Sequence, residues 1–279
     1  MSSIARPAAT AIRAKPTRAR RWLGRSGSAL MTLAGFLVIW EGLVRIFQIK
    51  SYLVPPPSMV AMELVTRFPR ILDSTGITTL EIAAGFAVAV AAAIPLALAV
   101  AFSPWVERNI YPAIVTFTII PKIAIAPLFI IWFGFGLAPK ILLVFLLSFF
   151  PMLVNNIAGF RSVSSEILDF ARSTGAGPWR LFVKIRLPAS LPYMFTGMKI
   201  GATNAVTAAV VAEFVASNKG LGYLLLEYNG DLETAAVFAT VAVLSVFGLA
   251  LYYLVELAER VAIPWHVSQR SDGVAARST

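Results

Sequence analysis

Residues 77–101 read ITTLEIAAGFAVAVAAAIPLALAVA, and Glu81 carries the one charge in this stretch. A helix of about 20 apolar residues is long enough to cross the hydrocarbon core of a bilayer, which is roughly 30 Å thick. Backbone inside lipid must satisfy its own hydrogen bonds, and a helix does so within one segment. The stretch therefore predicts a membrane-spanning helix.

Five further apolar stretches of comparable length lie at 29–47, 110–135, 141–158, 191–215 and 235–257. The chain has 279 residues, of which 58% are hydrophobic and 14% are charged, whereas roughly 25% of the residues of an ordinary soluble domain are charged. The alternating pattern of an outer-membrane barrel is missing. We therefore predict an all-α membrane protein with six transmembrane helices within residues 26–260.

The basic residues predict the orientation of these helices. The formal net charge is +10, which first suggests nucleic acid, because basic stripes neutralise phosphates. However, many of these residues lie in a basic arm at 1–25, ahead of the first span, and the positive-inside rule places such an arm in the cytoplasm. Six crossings then return the tail at 261–279 to the cytoplasm, so that the charge indicates topology and no nucleic acid partner is predicted.

Several other classes of protein are disfavoured by what the sequence lacks. A secretory signal is the alternative for the first apolar stretch, but no small-x-small cleavage pattern follows it. Cysteine is absent and the one histidine, His266, lies beyond the last span, which excludes disulfides and multi-histidine metal sites. Because the spans show no HExxH, serine–histidine or paired-aspartate arrangement, we predict neither catalytic residues nor a metal site.

The third apolar stretch contains Pro112, Pro121 and Pro127. An interior proline removes a backbone hydrogen bond and clashes with the preceding turn, so we predict a bent or interrupted helix. Such helices are tolerated where they face protein or a water-filled path, although proline kinks also occur in purely structural helices. Gly134 and Gly136 then predict a tight turn that joins the third and fourth spans as a hairpin.

Charged residues within the apolar stretches are costly, at about 2.5–3.5 kcal/mol near the bilayer centre. For Lys122 and Glu213 two interpretations remain open: polarity of a path or gate, and an ion pair or a side chain that reaches the interface. For Glu41 and Glu81 we expect structural hydrogen bonds. The candidate path or gate residues are Pro121, Lys122, Pro127 and Glu213.

The long internal loop at 159–190 carries the clearest functional signal. Ser164 or Ser165 can cap a helix whose first turn holds Glu166, an acid placed favourably at the positive end of the helix dipole. We expect this first helix to end near Ser173.

A separate short helix is predicted on the outer side of the membrane, at 59–71.

A second helix is predicted in the same loop. Gly175 and Gly177 break the first helix, and Pro178 fits the first position of a second one, which should stop before Pro188. Apolar residues at three- and four-residue spacing from Trp179 make this second helix amphipathic. We therefore expect a compact helix-turn-helix that needs a partner.

The loop resembles a known signature at every spacing. Asp169-Phe170-Ala171, Gly175, Ile185 and Leu187-Pro188 are similar to the Glu-Ala-Ala, glycine, isoleucine-x-leucine-proline signature of ABC-importer permeases. Two departures are that Asp169 replaces the glutamate and Phe170 replaces the first alanine. Motifs that resemble the sulfonate, taurine and nitrate branch include Leu53-Val54-Pro55-Pro56-Pro57-Ser58, Gly85-Phe86, Trp132-Phe133-Gly134, Ala212-Glu213 and Gly220-Leu221-Gly222-Tyr223.

This resemblance implies a type I ABC-importer permease in the bacterial inner membrane, with a coupling helix that docks on a cytoplasmic ATPase. It implies two ATP-binding subunits that hold ATP and Mg²⁺, a second permease copy and an external solute-binding protein, with no cofactor bound by this chain. The chain has no P-loop, since Lys50, the one lysine followed by Ser or Thr, follows Ile49 rather than glycine. The implied coupling residues are Glu166, Asp169, Ala171, Arg172, Gly175, Gly177, Trp179, Ile185, Leu187 and Pro188.

The resemblance also implies a class of solute and a type of transporter. The implied solute is a small anion or polar organic molecule, such as a sulfonate, taurine, nitrate or a vitamin precursor. An ion-coupled secondary transporter is the alternative, because it would also show broken helices and charges within the spans. Such a carrier has no need of the signature loop.

Overall fold

The structure is a computed structural model that describes residues 18–265, except for the side chains of residues 18–30 and 216. Within this range the chain is helical and forms no strand, which confirms the predicted all-α class. The helices are α1 (Arg18–Ile46), α2 (Pro57–Thr66), α3 (Phe68–Phe102), α4 (Pro104–Ile119), α5 (Ala126–Phe133), α6 (Leu137–Phe160), α7 (Ser165–Ser173), α8 (Pro178–Leu181), α9 (Leu187–Ala216), α10 (Leu221–Gly230) and α11 (Thr234–Ala262).

Each of the six predicted apolar stretches lies in this helical framework. By length and composition, four helices of the described chain could cross a membrane: α3, α6, the continuous helix Pro178–Val215 and α11. The bent pair formed by α4 and α5 raises that number to five if it counts as one span. The remaining predicted span corresponds to α1, whose first residues have no described side chains, so that six spans stays a prediction.

The core of the bundle is α6, which packs against α3 on one side and α9 on the other. Glycines allow these close approaches, as is common between membrane helices. A Cβ added to Gly85 on α3 would lie 2.6 Å from the Cβ of Val144 on α6, and one added to Gly197 on α9 would lie 3.1 Å from the Cα of Met152. The three helices therefore form a closely packed layer at the centre of the described chain.

The third predicted span is interrupted, as expected from its prolines. α4 ends at Ile119, a 3-10 turn follows at Lys122–Ile125, and α5 leaves at an angle of 86°. Pro121 lies at the break and Pro127 in the first turn of α5, whereas Pro112 sits inside α4 without ending it. Two of the three prolines therefore account for the change of direction.

The short outer helix predicted at 59–71 is wrong in its extent. α2 ends at Thr66, and Ile71 belongs to α3. Arg67 caps the end of α2, and Pro69 stands in the first turn of α3, where its missing N–H costs nothing. Apolar residues continue on both sides of Arg67, so the sequence pattern did not show the boundary between α2 and α3.

The prediction that the second loop helix stops before Pro188 is also wrong. α8 continues through a π-helical turn at Phe182–Arg186 directly into α9, so that Pro188 lies in the first turn of α9. A π turn inserts an extra residue into the ladder, and this accommodates a proline that lacks an N–H. The loop therefore leads into α9 without a break in the helix.

Two features near the ends of the chain complete the framework. α10 was not predicted, although Leu221, Leu224, Leu225 and Tyr228 are buried at helical spacing after Gly220. α1 begins at Arg18, inside the stretch 1–25 that was predicted to be an arm. The rest of that arm, and the tail from His266 onward, lie outside the described residues.

Candidate functional site

The turn after α7 is built around Gly175, which has a φ of +81°. The N–H of Gly175 donates to the carbonyl of Arg172 at 2.9 Å, and the N–H of Ala176 donates to the carbonyl of Ala171 at 3.2 Å. This pair of bonds is a Schellman motif, which requires a left-handed residue at the position of Gly175. The predicted helix break is therefore confirmed, and it forms a defined turn.

Apolar side chains protrude from both helices of this loop. Phe170 on α7 is 73% exposed and Trp179 on α8 is 74% exposed, while Ile167 lies exposed one turn before Phe170. Leu168 and Leu181 point inward and are buried. Each of the two helices thus buries one leucine and presents an aromatic side chain outward.

Polar side chains organise the first loop helix. Ser164 occupies the N-cap position of α7 but makes no capping bond to the backbone, which differs from the cap that the sequence predicts. A hydrogen bond from the Ser164 side chain instead lowers the pKa of the Glu166 carboxyl below its ordinary value. Asp169 and Arg172 form an exposed ion pair at 2.8 Å. Glu166 therefore stays ionised at the positive end of the helix.

The predicted coupling residues divide into two groups. Glu166, Asp169, Arg172, Gly175, Gly177 and Trp179 lie exposed at the surface of the loop. Ala171, Ile185, Leu187 and Pro188 are partly buried, and Leu187 packs against the main core cluster between α3 and α6. The first group forms a surface, and Leu187 of the second group anchors that surface to the bundle.

The broken helix holds three of the four path candidates. Pro121 and Pro127 are exposed, and the Nζ of Lys122 donates to the carbonyl of Thr118 at 2.9 Å while lying 4.8 Å from the ring centre of Phe150. The outward side of α5 is strongly apolar, with Ile131 exposed. This surface faces away from the bundle of a single chain.

Glu213 lies in a different place, in a buried polar cluster made of Thr78, Glu81, Lys140, Glu213 and Ser217. Lys140 Nζ lies 2.7 Å from Glu81 Oε1 and donates to Ser217 Oγ at 2.6 Å. Thr78 Oγ1 donates to Glu213 Oε1 at 2.6 Å, and both glutamates are fully buried. The cluster joins α3, α6 and the end of α9, at the end of the bundle opposite the loop.

The same cluster holds the start of α10. The backbone N–H of Leu221 donates to Thr78 Oγ1 at 2.9 Å, and that of Gly222 donates to Glu213. Gly220 has a φ of +107°, and a Cβ there would collide with the Glu213 carboxylate. These contacts favour a structural role for Glu213, which is held by hydrogen bonds beside the Glu81–Lys140 ion pair.

The sequence identified only some members of these networks. Glu41 and Glu81 make the expected structural contacts, since Glu41 accepts hydrogen bonds from the backbone N–H of Ser58 at 3.0 Å and from its hydroxyl at 2.8 Å. Lys140 lies between the predicted spans at 110–135 and 141–158, but α6 begins before it and buries it. The sequence predicts a structural hydrogen bond for Glu81 but does not identify Lys140 as its partner.

Comparison with known proteins gives a consistent result. A family described as "Binding-protein-dependent transport system inner membrane component" matches residues 89–262. The chain is similar to the riboflavin transport system permease protein RibX of Chloroflexus aurantiacus, with 35% identity over 85% of this chain and 90% of the relative. It is also similar to the formylaminopyrimidine transport permease protein ThiX of Halalkalibacterium halodurans, with 32% identity over 88% and 99%.

Two further matches complete the comparison. The taurine transport system permease protein TauC of Escherichia coli is 31% identical over 84% of this chain and 88% of the relative. Among solved structures, a chain of the MetNI methionine ABC transporter in an inward-facing conformation matches with a TM-score of 0.50 and 18% identity, over 73% of this chain and 96% of that chain. The structural match supports the arrangement of helices.

Proposed function

The chain belongs to the family of binding-protein-dependent transport system inner membrane components, and from this premise we propose that its loop at 159–190 docks a separate ATPase. The chain would then be the transmembrane permease subunit of an ATP-driven importer. ATP and Mg²⁺ would bind to the partner, and this chain would be a non-catalytic subunit without a cofactor of its own.

The observation that carries this proposal is the exposed apolar surface of the loop. Ile167, Phe170 and Trp179 are exposed on α7 and α8, each of which buries one leucine. Exposed apolar patches of this kind mark interaction sites, and an amphipathic helix commonly binds by laying its apolar side in a groove. A groove on an ATPase subunit is the partner surface that we propose.

The docked loop would transmit movement as a unit. The Schellman turn at Gly175 fixes α7 to α8, and the π turn at Phe182–Arg186 leads on into α9. Closure of two ATPase subunits around ATP would move both loops of a permease pair and change the tilt of the spans. We therefore propose a complex of two ATPase subunits, two permease copies and an external solute-binding protein.

The proposed topology follows from the charge distribution. Six spans, with α1 as the first, would place both termini and the loop in the cytoplasm of a bacterium and the buried polar cluster near the outer side of its inner membrane. The exposed side of α4 and α5, with Pro121, Lys122 and Pro127, would line half of the solute path. A gate role for Glu213 would require the polar cluster to open during transport.

The names of the relatives support the class of solute that we propose. Their names refer to riboflavin, formylaminopyrimidine, taurine and aliphatic sulfonates. A small anion or a polar organic molecule is therefore the solute that we propose. The family match favours this ATP-driven importer over the ion-coupled secondary transporter.

Substitution of Trp179 by alanine tests the docking surface. Because aromatic anchors contribute much of the binding energy of an interface, we expect Trp179→Ala to weaken association with the ATPase by roughly fivefold, or about 1 kcal/mol. The measurement is the concentration of ATPase subunit that half-saturates the permease in detergent or nanodiscs. Trp265→Ala is the matched control, since Trp265 is also an exposed tryptophan but lies after α11. Equal affinities for the two variants would argue against docking through this surface.

A further inference from the structure

We infer that Arg161, Glu107 and Phe102 form a mechanical link that carries movement of the docking loop to the broken helix formed by α4 and α5. The inference rests on the proposed function, because it assumes that an ATPase moves the loop. The chain connects the loop covalently to α6 and α9 alone. The link would add a third route, which reaches the proposed lining of the solute path.

The receiving end of the link is the turn between α3 and α4. Ser103 is the one residue between these helices, and its hydroxyl accepts a hydrogen bond from the N–H of Val106 at 3.4 Å. The turn is therefore short and internally bonded. Any displacement of this turn moves the start of α4, and α4 continues to the break at Pro121.

Arg161 attaches the loop to this turn by polar contacts. It directly follows α6, and its Nη2 lies 3.0 Å from Glu107 Oε1 and donates to the carbonyl of Val100 at 3.2 Å. Its guanidinium carbon also lies 5.8 Å from the ring centre of Tyr111. One side chain thus contacts the last turns of α3 and two successive turns of α4, a use that suits the several donors of arginine.

A chain of aromatic rings makes a second attachment. The exposed Trp179 lies 5.8 Å from Phe182, and Phe182 lies 5.6 Å from Phe102 at the end of α3, measured between ring centres. Phe102 also contacts the buried Phe160 at 6.2 Å, and the guanidinium carbon of Arg186 lies 4.8 Å from its ring centre. These separations fall within the range of favourable aromatic pairs. The docking surface is therefore connected to the turn through packed rings.

The π turn explains why such a link matters. Residues Phe182–Arg186 form the π turn through which α8 continues into α9, and π turns are among the places where helices kink. Movement of α8 along the covalent route would be partly absorbed there. The rings leave the loop at Phe182, the first residue of the π turn, and Arg161 contacts the α3–α4 turn from the end of α6. Neither attachment therefore passes through the whole π turn into α9.

The test uses the fact that the chain contains no cysteine. A single Ile131→Cys substitution on α5 places an environment-sensitive fluorophore on the broken helix, in the complete complex with its ATPase subunits in nanodiscs. The probe is Mg–ATP, and the measurement is the ATP-dependent change in emission. We expect Arg161→Ala and Phe102→Ala each to lower the equilibrium constant of this change by about two- to thirtyfold, the usual range for residues that carry coupling.

Two further measurements separate the outcomes. We expect the ATPase to co-purify with both variants as it does with the parent chain, and the exchange Arg161→Glu with Glu107→Arg to restore part of the ATP response. Arg260→Ala is the control, because it breaks an ion pair with Glu256 on α11, away from the link. The link would be overturned if the emission of the labelled parent chain did not change with Mg–ATP. It would also be overturned if the variants showed the same change as the parent chain. Failure of the ATPase to bind the parent chain would instead overturn the proposed function.

Discussion

Valine in place of Gly175 is expected to weaken association with the ATPase by roughly 5- to 150-fold. Gly175 has a φ of +81°, a conformation that costs a non-glycine residue about 1–3 kcal/mol, and a β-branched side chain is among the worst accommodated there. No atom lies within 4 Å of a Cβ at this position, so the cost is conformational. Relief of that strain would rotate α7 against α8 and change the relative positions of Phe170 and Trp179.

The neighbouring glycine offers a matched control. Gly177 has φ of −69° and ψ of 163°, which valine adopts readily, and its Cβ position is also open. Gly177→Val should therefore preserve the loop, and Gly175→Asn should lose least at position 175 because asparagine tolerates the left-handed region. The measurement is the half-saturating concentration of ATPase for each variant in nanodiscs. If valine at position 175 and valine at position 177 weakened ATPase binding equally, the role assigned to the turn at Gly175 would be contradicted.

Removal of the Lys140 ammonium group is expected to destabilise the bundle by about 3–5 kcal/mol, since a buried ion pair loses one partner. Lys140 Nζ lies 2.7 Å from Glu81 Oε1, and Glu81 is fully buried. Lys140→Ala would leave the Glu81 carboxylate uncompensated and would also release Ser217 at the end of α9. The measurement is the denaturation midpoint of the purified permease.

Two comparison variants make this expectation specific. Glu81→Leu combined with Lys140→Leu removes both charges, and we expect it to recover most of the lost stability. Arg260→Ala breaks an ion pair whose arginine side chain is 59% exposed, and pairs of that kind contribute about 0–1 kcal/mol. If Lys140→Ala unfolded no earlier than Arg260→Ala, the polar cluster would not have the structural role described here.

Local chemistry in the sequence predicted much of the framework. Apolar stretches located the long helices because helices of that length must be apolar wherever they contact lipid. Gly175 predicted a turn because glycine tolerates positive φ. Pro121 predicted a helix break because proline lacks an N–H. The sequence also predicted the amphipathic second helix of the loop at 159–190, on which Trp179 is exposed.

Properties that depend on distant residues were not accessible in this way. Glu81 and Lys140 are 59 positions apart, and Lys199 pairs with Glu259 on another helix at 2.5 Å. A sequence shows that each buried charge needs a partner, but the packing of helices decides which partner it meets. The π turn before Pro188 was missed for a related reason, because the continuity of α8 and α9 depends on how Leu187 and its neighbours pack.

Cross-linking from the loop tests the central claim most directly. Because the chain has no cysteine, Arg180→Cys places one thiol on the exposed surface of α8, and Asn218→Cys places one at the far end of the bundle, beyond α9. Each thiol would carry a photoactivatable cross-linker in the complete complex in nanodiscs. We predict that position 180 captures the ATPase subunit and that position 218 does not. Capture of nothing but lipid or solvent from position 180 would contradict the account.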